Sequence, residues 1–236
     1  MLPKTDLEGV KNMAKMLLQL PVEADNPFGI VSHPFINTLY FPKSLKINGE
    51  DSLIPTNILE DKELYDKVMK DFEDRIDRVK KYSEFLIIVN KPYLPVFFKF
   101  TKEYLNFMDY TEFLRELWTY VEFPNNDKNV SKREFVSYFK KASKNLLMTD
   151  HEVQVFQELP QEITIYRGTG KHKNYKALSW TLDLDKAKWF ANRWNQKGTV
   201  YKAKIKYKDC LAYFEGRGES ELVVDYSKLY DIKEMN

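Results

Sequence analysis

The sequence predicts an α+β protein, with a mainly helical region followed by a strand-rich one. Three observations lead there. Up to about position 157 the apolar residues recur at three-to-four spacing, the mark of helices, and from Ile163 they alternate, the mark of strands. Two Ser/Thr-x-x-Glu pairs, Ser131 with Glu134 and Thr149 with Glu152, have the form of a capping box, in which each end of the pair satisfies a free backbone N–H of the other. The short segments after Ile163 are separated by turn residues at close intervals, as consecutive strands are. The expected division is residues 1–157 as the helical region and 158–236 as the core. The helices either share one domain with the core or form a cap over it.

The elements follow in order. Leu7, Val10, Met13, Leu17 and Leu18 share a helical face, with Asp6 as cap and Pro21 as stop. Residues 21–58 carry Pro21, Pro27, Pro34, Pro42 and Pro55 and read as loop with short extended pieces. Leu64, Val68, Phe72, Ile76 and Val79 give an amphipathic helix. Residues 85–100 hold apolar runs broken by Pro92 and Pro95, and read as short strands or buried turns. Thr111 is the expected cap of a helix through Leu114, Leu117, Trp118 and Val121. Ser131 opens one with Phe135, Tyr138, Phe139, Ala142 and Leu146 inward, and Thr149 opens a short one ending before Pro160.

Strands are expected at Ile163–Arg167, Ala177–Thr181, Tyr201–Tyr207, Cys210–Phe214, Glu221–Asp225 and Leu229–Ile232. A helix capped by Asp183, with Ala187, Phe190, Ala191 and Trp194 inward, follows the second of them. Lys202, Lys204, Lys206 and Lys208 fall on one face, read as the solvent side of an edge strand, where lysine blocks sheet-to-sheet pairing.

Composition narrows the function classes. The 43% hydrophobic and 15% aromatic content supports a folded core. With 37 basic and 35 acidic residues, no bulk field argues for nucleic acid. Cys210 is the single cysteine, so no internal disulfide forms, and it reads as a small core filler. The longest apolar run, Phe85–Val89, is far too short to span a bilayer. The N-terminus lacks the order of a signal peptide. A cytoplasmic protein without membrane contact is expected. His33, His151 and His172 have no metal-ligand spacing and read as surface or loop residues, so no metal is expected.

Three motifs stand in order in the strand-rich part. Tyr166-Arg167-Gly168 ends a strand, Ser179-Trp180-Thr181 lies on the next, and Glu219-Ser220-Glu221 follows the turn Gly216-Arg217-Gly218. Arginine is the side chain best shaped for two-point contact with phosphate. Glycine lets a ligand approach the backbone. A carboxylate stabilises positive charge developing at a sugar carbon. Glu219 and Glu221, if the segment is extended, point to one face.

On these residues, the last third of the chain resembles the Arg–Ser–Glu, cholera-toxin-like class of mono-ADP-ribosyltransferases of bacterial or phage type. The resemblance implies a split, mostly antiparallel β-sandwich with NAD, the substrate, in the cleft between two small sheets. It implies that Arg167 contacts the diphosphate, Gly168 the nicotinamide carboxamide, and Glu221 the ribose 2′-hydroxyl. Ser179 would orient Glu221, and Thr181 would buttress the strand. It implies that an acidic residue at Glu219 goes with arginine acceptors, since a carboxylate pairs with guanidinium. Thr181 stands where the family has Ser or Thr, and Arg217 adds a cation beside the glutamates. Phe214 is a candidate to pack near the nicotinamide, whereas Trp189, Phe190 and Trp194 read as core.

The expected reaction moves ADP-ribose from NAD to a macromolecular acceptor, a protein arginine first, with nicotinamide released. Transfer to nucleic acid, or hydrolysis of NAD, is the second reading, and the lysine face speaks for nucleic acid as Glu219 speaks against it. A third is an inactive binding module of the same fold, against which the intact Arg167, Ser179, Glu219 and Glu221 stand. An inhibitor or antitoxin partner is a further expectation from the family.

Overall fold

In the computed structural model, which describes residues 2–24, 31–47, 49–122, 127–170, 174–193, 197–216 and 218–235, the chain divides into two units, Met1–Asp109 and Tyr110–Asn236. The boundary between these units, at 109, lies within the mainly helical stretch, which runs on to Gln157.

In the first unit, α1 (Leu7–Leu18) starts where expected, its Asp6 carboxylate accepting from the Gly9 N–H at 2.9 Å, and it buries Val10, Ala14 and Leu18. The proline-rich stretch contains an antiparallel hairpin, β1 (Tyr40–Ile47) and β2 (Glu50–Asn57), turned at Gly49 with φ +88°. The long helix α2 (Lys62–Arg78) is capped by Asp61 and buries Leu64, Val68, Met69 and Ile76. Residues 85–100 are helical, not strands: α3 spans Phe85–Ile88 and α4 spans Leu94–Thr101. The prolines mark helix starts here. Pro95 sits in the first turn of α4 and Pro92 in the preceding short turn of helix, positions whose N–H has no helical partner to lose. The freed spacing puts Phe85, Leu94, Phe97 and Phe98 in the core, with Phe85 and Phe97 ring centroids 4.9 Å apart.

His33 is not a surface residue. It is fully buried, its Nδ1 accepts from the N–H groups of Phe35 and Ile36, and its Nε2 lies 3.2 Å from the Leu18 carbonyl. That pattern requires the neutral Nε2–H tautomer. Burial holds its pKa below the ordinary histidine value, outweighing the carbonyls that pull the other way.

In the second unit, α5 (Phe107–Tyr120) begins four residues before the expected cap. Asn106 does the capping, accepting from the Asp109 N–H at 2.9 Å, and Thr111 lies buried inside the helix. Both capping boxes form, opening α6 (Lys132–Lys141) and α8 (Asp150–Gln157). Between them α7 (Lys144–Leu147) is a separate turn, so Ala142 ends α6 and Leu146 is partly exposed rather than inward. These helices pack on the sheet of their own unit, α6, α7 and α8 all against one strand, which is why 110–157 goes with the strands.

That sheet contains β3 (Glu162–Thr169), β4 (Ser179–Thr181), β5 (Thr199–Lys206), β6 (Cys210–Phe214), β7 (Glu221–Val224) and β8 (Tyr230–Met235), with α9 (Leu184–Asn192) after β4. The strand order is β6-β7-β4-β3-β5-β8 and each pairing is antiparallel. The protein is therefore α+β. β3 pairs with β5 along its whole length, but meets β4 at one position, Tyr166 opposite Thr181. The sheet is two three-stranded halves joined at a narrow waist.

Two expectations are corrected by this topology. β5 lies between β3 and β8, so its lysines do not line an edge; Lys204 pairs with Glu162 at 2.6 Å, and Lys208 lies beyond the strand. Trp189 is 54% exposed, between the cations of Lys186 and Arg193, and is not core. Cys210 is fully buried, and burial pushes its thiol up to about 12. Trp194 and His172 lie outside the described residues.

Candidate functional site

The three motifs meet at the waist of the sheet. In the β4–β7 ladder Ser179 lies opposite Val223, Trp180 opposite Leu222, and Thr181 opposite Glu221. Residues directly opposite in a ladder share a face, so Ser179, Thr181 and Glu221 stand on one side, and Trp180 is buried on the other. Arg167 follows Tyr166, the residue that pairs with Thr181 across the waist.

Thr181 ties the second motif to the third. Its hydroxyl donates to the Glu219 carbonyl at 2.7 Å and accepts from the Asp183 N–H at 3.0 Å. The next N–H, of Leu182, donates to the Ser220 carbonyl at 3.1 Å. These bonds hold Ser220 at φ +42°, in the left-handed region where a side chain is rarely found and strain is kept only by surrounding contacts. The segment Glu219–Glu221 is thus kinked rather than extended, and β7 begins only at Glu221. Strand alternation does not bring the two carboxylates together. The kink leaves both on one cleft.

That cleft measures about 250 Å³ and is lined by Arg115, Glu116, Thr119, Glu152, Phe214, Gly216, Glu219 and Glu221. Glu221 is 6% exposed, and its Oε1 accepts from the indole Nε1–H of Trp118 on α5 at 3.2 Å. A buried carboxylate needs such donors to stay in place. Arg115, one turn earlier on α5, donates to Glu152 at 3.0 Å and to the Leu147 carbonyl at 2.7 Å, and lies 5.7 Å from the Phe214 ring centre. Glu152 does three jobs. It completes the α8 capping box, pairs with Arg115, and accepts from the Glu215 N–H at 2.9 Å. Burial pushes its carboxyl up, but the N–H groups of Glu215 and Thr149 and the Arg115 guanidinium together hold it below the usual carboxylate range. Four carboxylates against one guanidinium make this wall of the cleft favour a cation.

Arg167 stands outside that wall. Its Nη1 donates to the Ser179 carbonyl at 2.6 Å and its Nε to the Asn174 carbonyl at 3.3 Å. Burial pushes its guanidinium pKa down to about 10, while Glu221 pulls it up. Arg167 therefore clasps β4 to β3 at the waist, and two of its N–H groups are already spent on backbone. Gly168 is needed by packing: a Cβ there would meet the Ala187 carbonyl oxygen of α9 at 1.9 Å. Phe214 lines the cleft and is buried, as a ring-packing residue would be. Arg217 lies outside the described residues.

Arg115, Glu116, Thr119, Trp118 and Glu152 had no place in the sequence-derived site. Trp118 and the capping box of Glu152 were legible as helix signals, but nothing linear connects positions 115–118 with 152 and 221. Among the described residues no group of His, Cys, Asp and Glu could hold a metal ion, and no helix is long and apolar enough to cross a membrane. No family model, curated protein or solved structure matches this chain.

Proposed function

We propose that the chain is a mono-ADP-ribosyltransferase that uses NAD as donor, with Glu221 as the catalytic carboxylate. One observation carries this reading: Arg167, Ser179 with Thr181, and Glu219 with Glu221, far apart in the sequence, converge where an antiparallel sheet splits into two halves. The resemblance implies two small sheets with NAD between them; here the described strands form one antiparallel sheet of six, narrowed to a single paired position between β3 and β4. The charge of the cleft supports the NAD reading too. The nicotinamide ring of NAD is a cation, and breaking its bond to ribose spreads positive charge over the sugar. A buried, oriented carboxylate favours both.

At about 250 Å³ the cleft takes the nicotinamide and its ribose rather than the whole dinucleotide. Glu221 would accept from the ribose 2′-hydroxyl while Trp118 fixes its other interaction. Ser179 and Thr181 set the strand from which it projects. Phe214 offers a ring face to the nicotinamide. Gly168, closed by α9 on the side a Cβ would occupy, would contribute its backbone. Glu219, on the same cleft and more exposed, would receive the acceptor. A guanidinium suits an acidic wall, and Glu219 would draw off its proton as the N-glycosidic bond forms. Protein arginine is the preferred acceptor for that reason.

The test uses NAD labelled in the adenylate moiety, incubated with the protein and a cell lysate, and portions then treated with protease or nuclease. Label in macromolecules that protease releases is the expected result. Release by nuclease alone would replace arginine with nucleic acid, and free ADP-ribose alone would make the protein a hydrolase. No turnover under any of these conditions would overturn the enzyme reading. Glu221→Gln is expected to lower turnover by about a hundredfold or more while NAD binding survives. Glu219→Gln should impair transfer to arginine more than hydrolysis, and an equal loss of both would remove the argument for arginine.

A further inference from the structure

The approach to Glu219 along the chain begins at Glu215, and a buried side chain of α8 holds it there. Glu215 follows β6, and its carbonyl accepts from the Gly218 N–H at 2.7 Å, so Gly218 and the Glu219 after it are tied to its position. The Glu215 N–H donates to Oε1 of Glu152 at 2.9 Å. Oε2 of Glu152 accepts from the Thr149 N–H at 2.8 Å and from Arg115 at 3.0 Å. One oxygen thus serves the helices and the other serves the segment that leads to Glu219. Glu221 is held by different groups. Trp118 donates to its carboxylate, and the Thr181 hydroxyl and the Leu182 N–H hold the carbonyls of Glu219 and Ser220.

Capping alone does not account for a carboxylate here. Glutamine completes a capping box as well as glutamate does, and a carboxylate that is 4% exposed is costly to bury unless donors surround it. The cap and the Arg115 contact need one oxygen between them. Glutamine, with its oxygen on that side, would turn its amide N–H groups toward the Glu215 N–H, donor against donor. The contact that requires the second oxygen is the one to Glu215. The imidazole of His151 also lies 3.1 Å from the Glu215 carboxylate, but an exposed pair of this kind adds little. We propose that Glu152 is a positioning residue for the acceptor step, setting Glu219 relative to Glu221 by holding the Glu215 N–H. This rests on the NAD reading above. In that step the acceptor guanidinium nitrogen bonds to the ribose C1′. The bond from C1′ to nicotinamide breaks with its electron pair going to nicotinamide, and the guanidinium proton goes to Glu219. A misplacement of about 1 Å can cost about a hundredfold in rate. A loosened Glu215 is therefore felt in transfer to arginine, which uses Glu219, more than in hydrolysis, which needs Glu221.

The test compares the whole protein with Glu152→Gln, Glu219→Gln and the double variant. Transfer of ADP-ribose to polyarginine and release of free ADP-ribose are measured in one incubation, and native-state amide exchange is followed alongside. Glu152→Gln is expected to lower the ratio of transfer to hydrolysis about tenfold, the cost of a shift well under an ångström. The ratio cancels any change in NAD binding or in the amount of folded protein, which both reactions share, so a merely structural role would not move it. The double variant should have a ratio no lower than that of Glu219→Gln alone, because both substitutions act through one group. The Glu215 amide should be protected in the unaltered protein and lose about tenfold of that protection in Glu152→Gln, while the amides of α8 keep theirs. If the unaltered protein turns NAD over and Glu152→Gln leaves the ratio as it was, or the two substitutions add in full, the positioning role is wrong and the NAD reading stands. A Glu215 amide that is unprotected in the unaltered protein overturns the role without recourse to a variant. If the unaltered protein yields neither transferred nor free ADP-ribose, the NAD reading fails and the positioning role with it.

Discussion

A carboxylate such as Glu221 is useful only if it is held in one orientation, and in this protein a tryptophan holds it. The Trp118 indole, fully buried on α5, donates to Oε1. Because Trp118 touches the reaction only through Glu221, it is a positioning residue. Trp118→Phe keeps most of the apolar contact with Phe135 and Phe139, whose rings meet it edge-on at 5.4 and 5.0 Å, and deletes only the N–H. The expected outcome is a kcat for NAD lower by roughly tenfold with KM little changed, since one hydrogen bond to a charged group is at stake. Rate measurements with a thermal melt check this, and a loss traced wholly to lower stability would count against the positioning role. Nothing in the local pattern announces this bond. Trp118 falls on the apolar stripe of a helix, where a core role accounts for it completely, and its partner lies more than a hundred residues away.

Among the elements, α9 shows how packing explains a motif residue. Its N-terminus is set by Asp183, which accepts from the N–H groups of Asp185 and Lys186. Its axis runs so close over β3 that Gly168 has the Ala187 carbonyl and the Ala191 N–H where a side chain would be, and Ala187 and Ala191 are themselves small and buried. Backbone cannot yield as a flexible side chain can. Gly168→Ala is therefore expected to destabilise the second unit by about 3 kcal/mol, at the upper end of overpacking costs, and to lower the melting temperature even without NAD. A variant as stable as the parent would show that α9 can move away. Elements whose cause is local were legible in advance. Asp6, Asp183, Ser131 and Thr149 all cap the helices expected of them, because a cap needs only side-chain type and spacing. Residues 85–100 were not, because the same prolines interrupt a strand or start a helix, and burial of Phe85, Phe97 and Phe98 decided between them.

At the scale of the whole molecule, the two units answer acid differently. His33 in the first unit is neutral when folded, with a pKa kept below 6.5, whereas the unfolded chain takes up its proton near 6.5. The unfolded state therefore binds more protons as pH falls below 6.5, and stability is lost through that window until the folded pKa is passed. In the second unit the depressed groups are carboxylates, Glu152 and Asp225, the latter held down by Lys140 and the Ser227 hydroxyl and N–H against the upward push of burial. Their contribution is present above the ordinary carboxylate range and disappears only as pH falls through it and below. His33→Asn keeps an acceptor near the place of Nδ1 without a titration. It is expected to lower stability at neutral pH but to flatten the decline below pH 6.5, as followed by denaturant unfolding. An unaltered slope would assign the decline to other groups.

The sequence by itself determined the helix starts at Asp6, Ser131, Thr149 and Asp183, the approximate strand positions after Ile163 and the α+β class, since caps, turns and hydrophobic period are read from neighbours a few residues apart. It also determined which side chains are candidates for chemistry, Arg167, Ser179, Glu219 and Glu221, by type and order. Tertiary structure alone decided how they are used. It placed the boundary between units at 109, with α6, α7 and α8 packed on the sheet of the second unit. It spent Arg167 partly on the Ser179 carbonyl, gave Gly168 to α9, and kinked Ser220 so that Glu219 and Glu221 share one cleft. It brought Trp118, Arg115 and Glu152 to that cleft from helices that carry no motif. The physical reason is range. Propensity and capping act within a turn of chain, whereas burial and electrostatics act through space and join residues that the sequence keeps far apart.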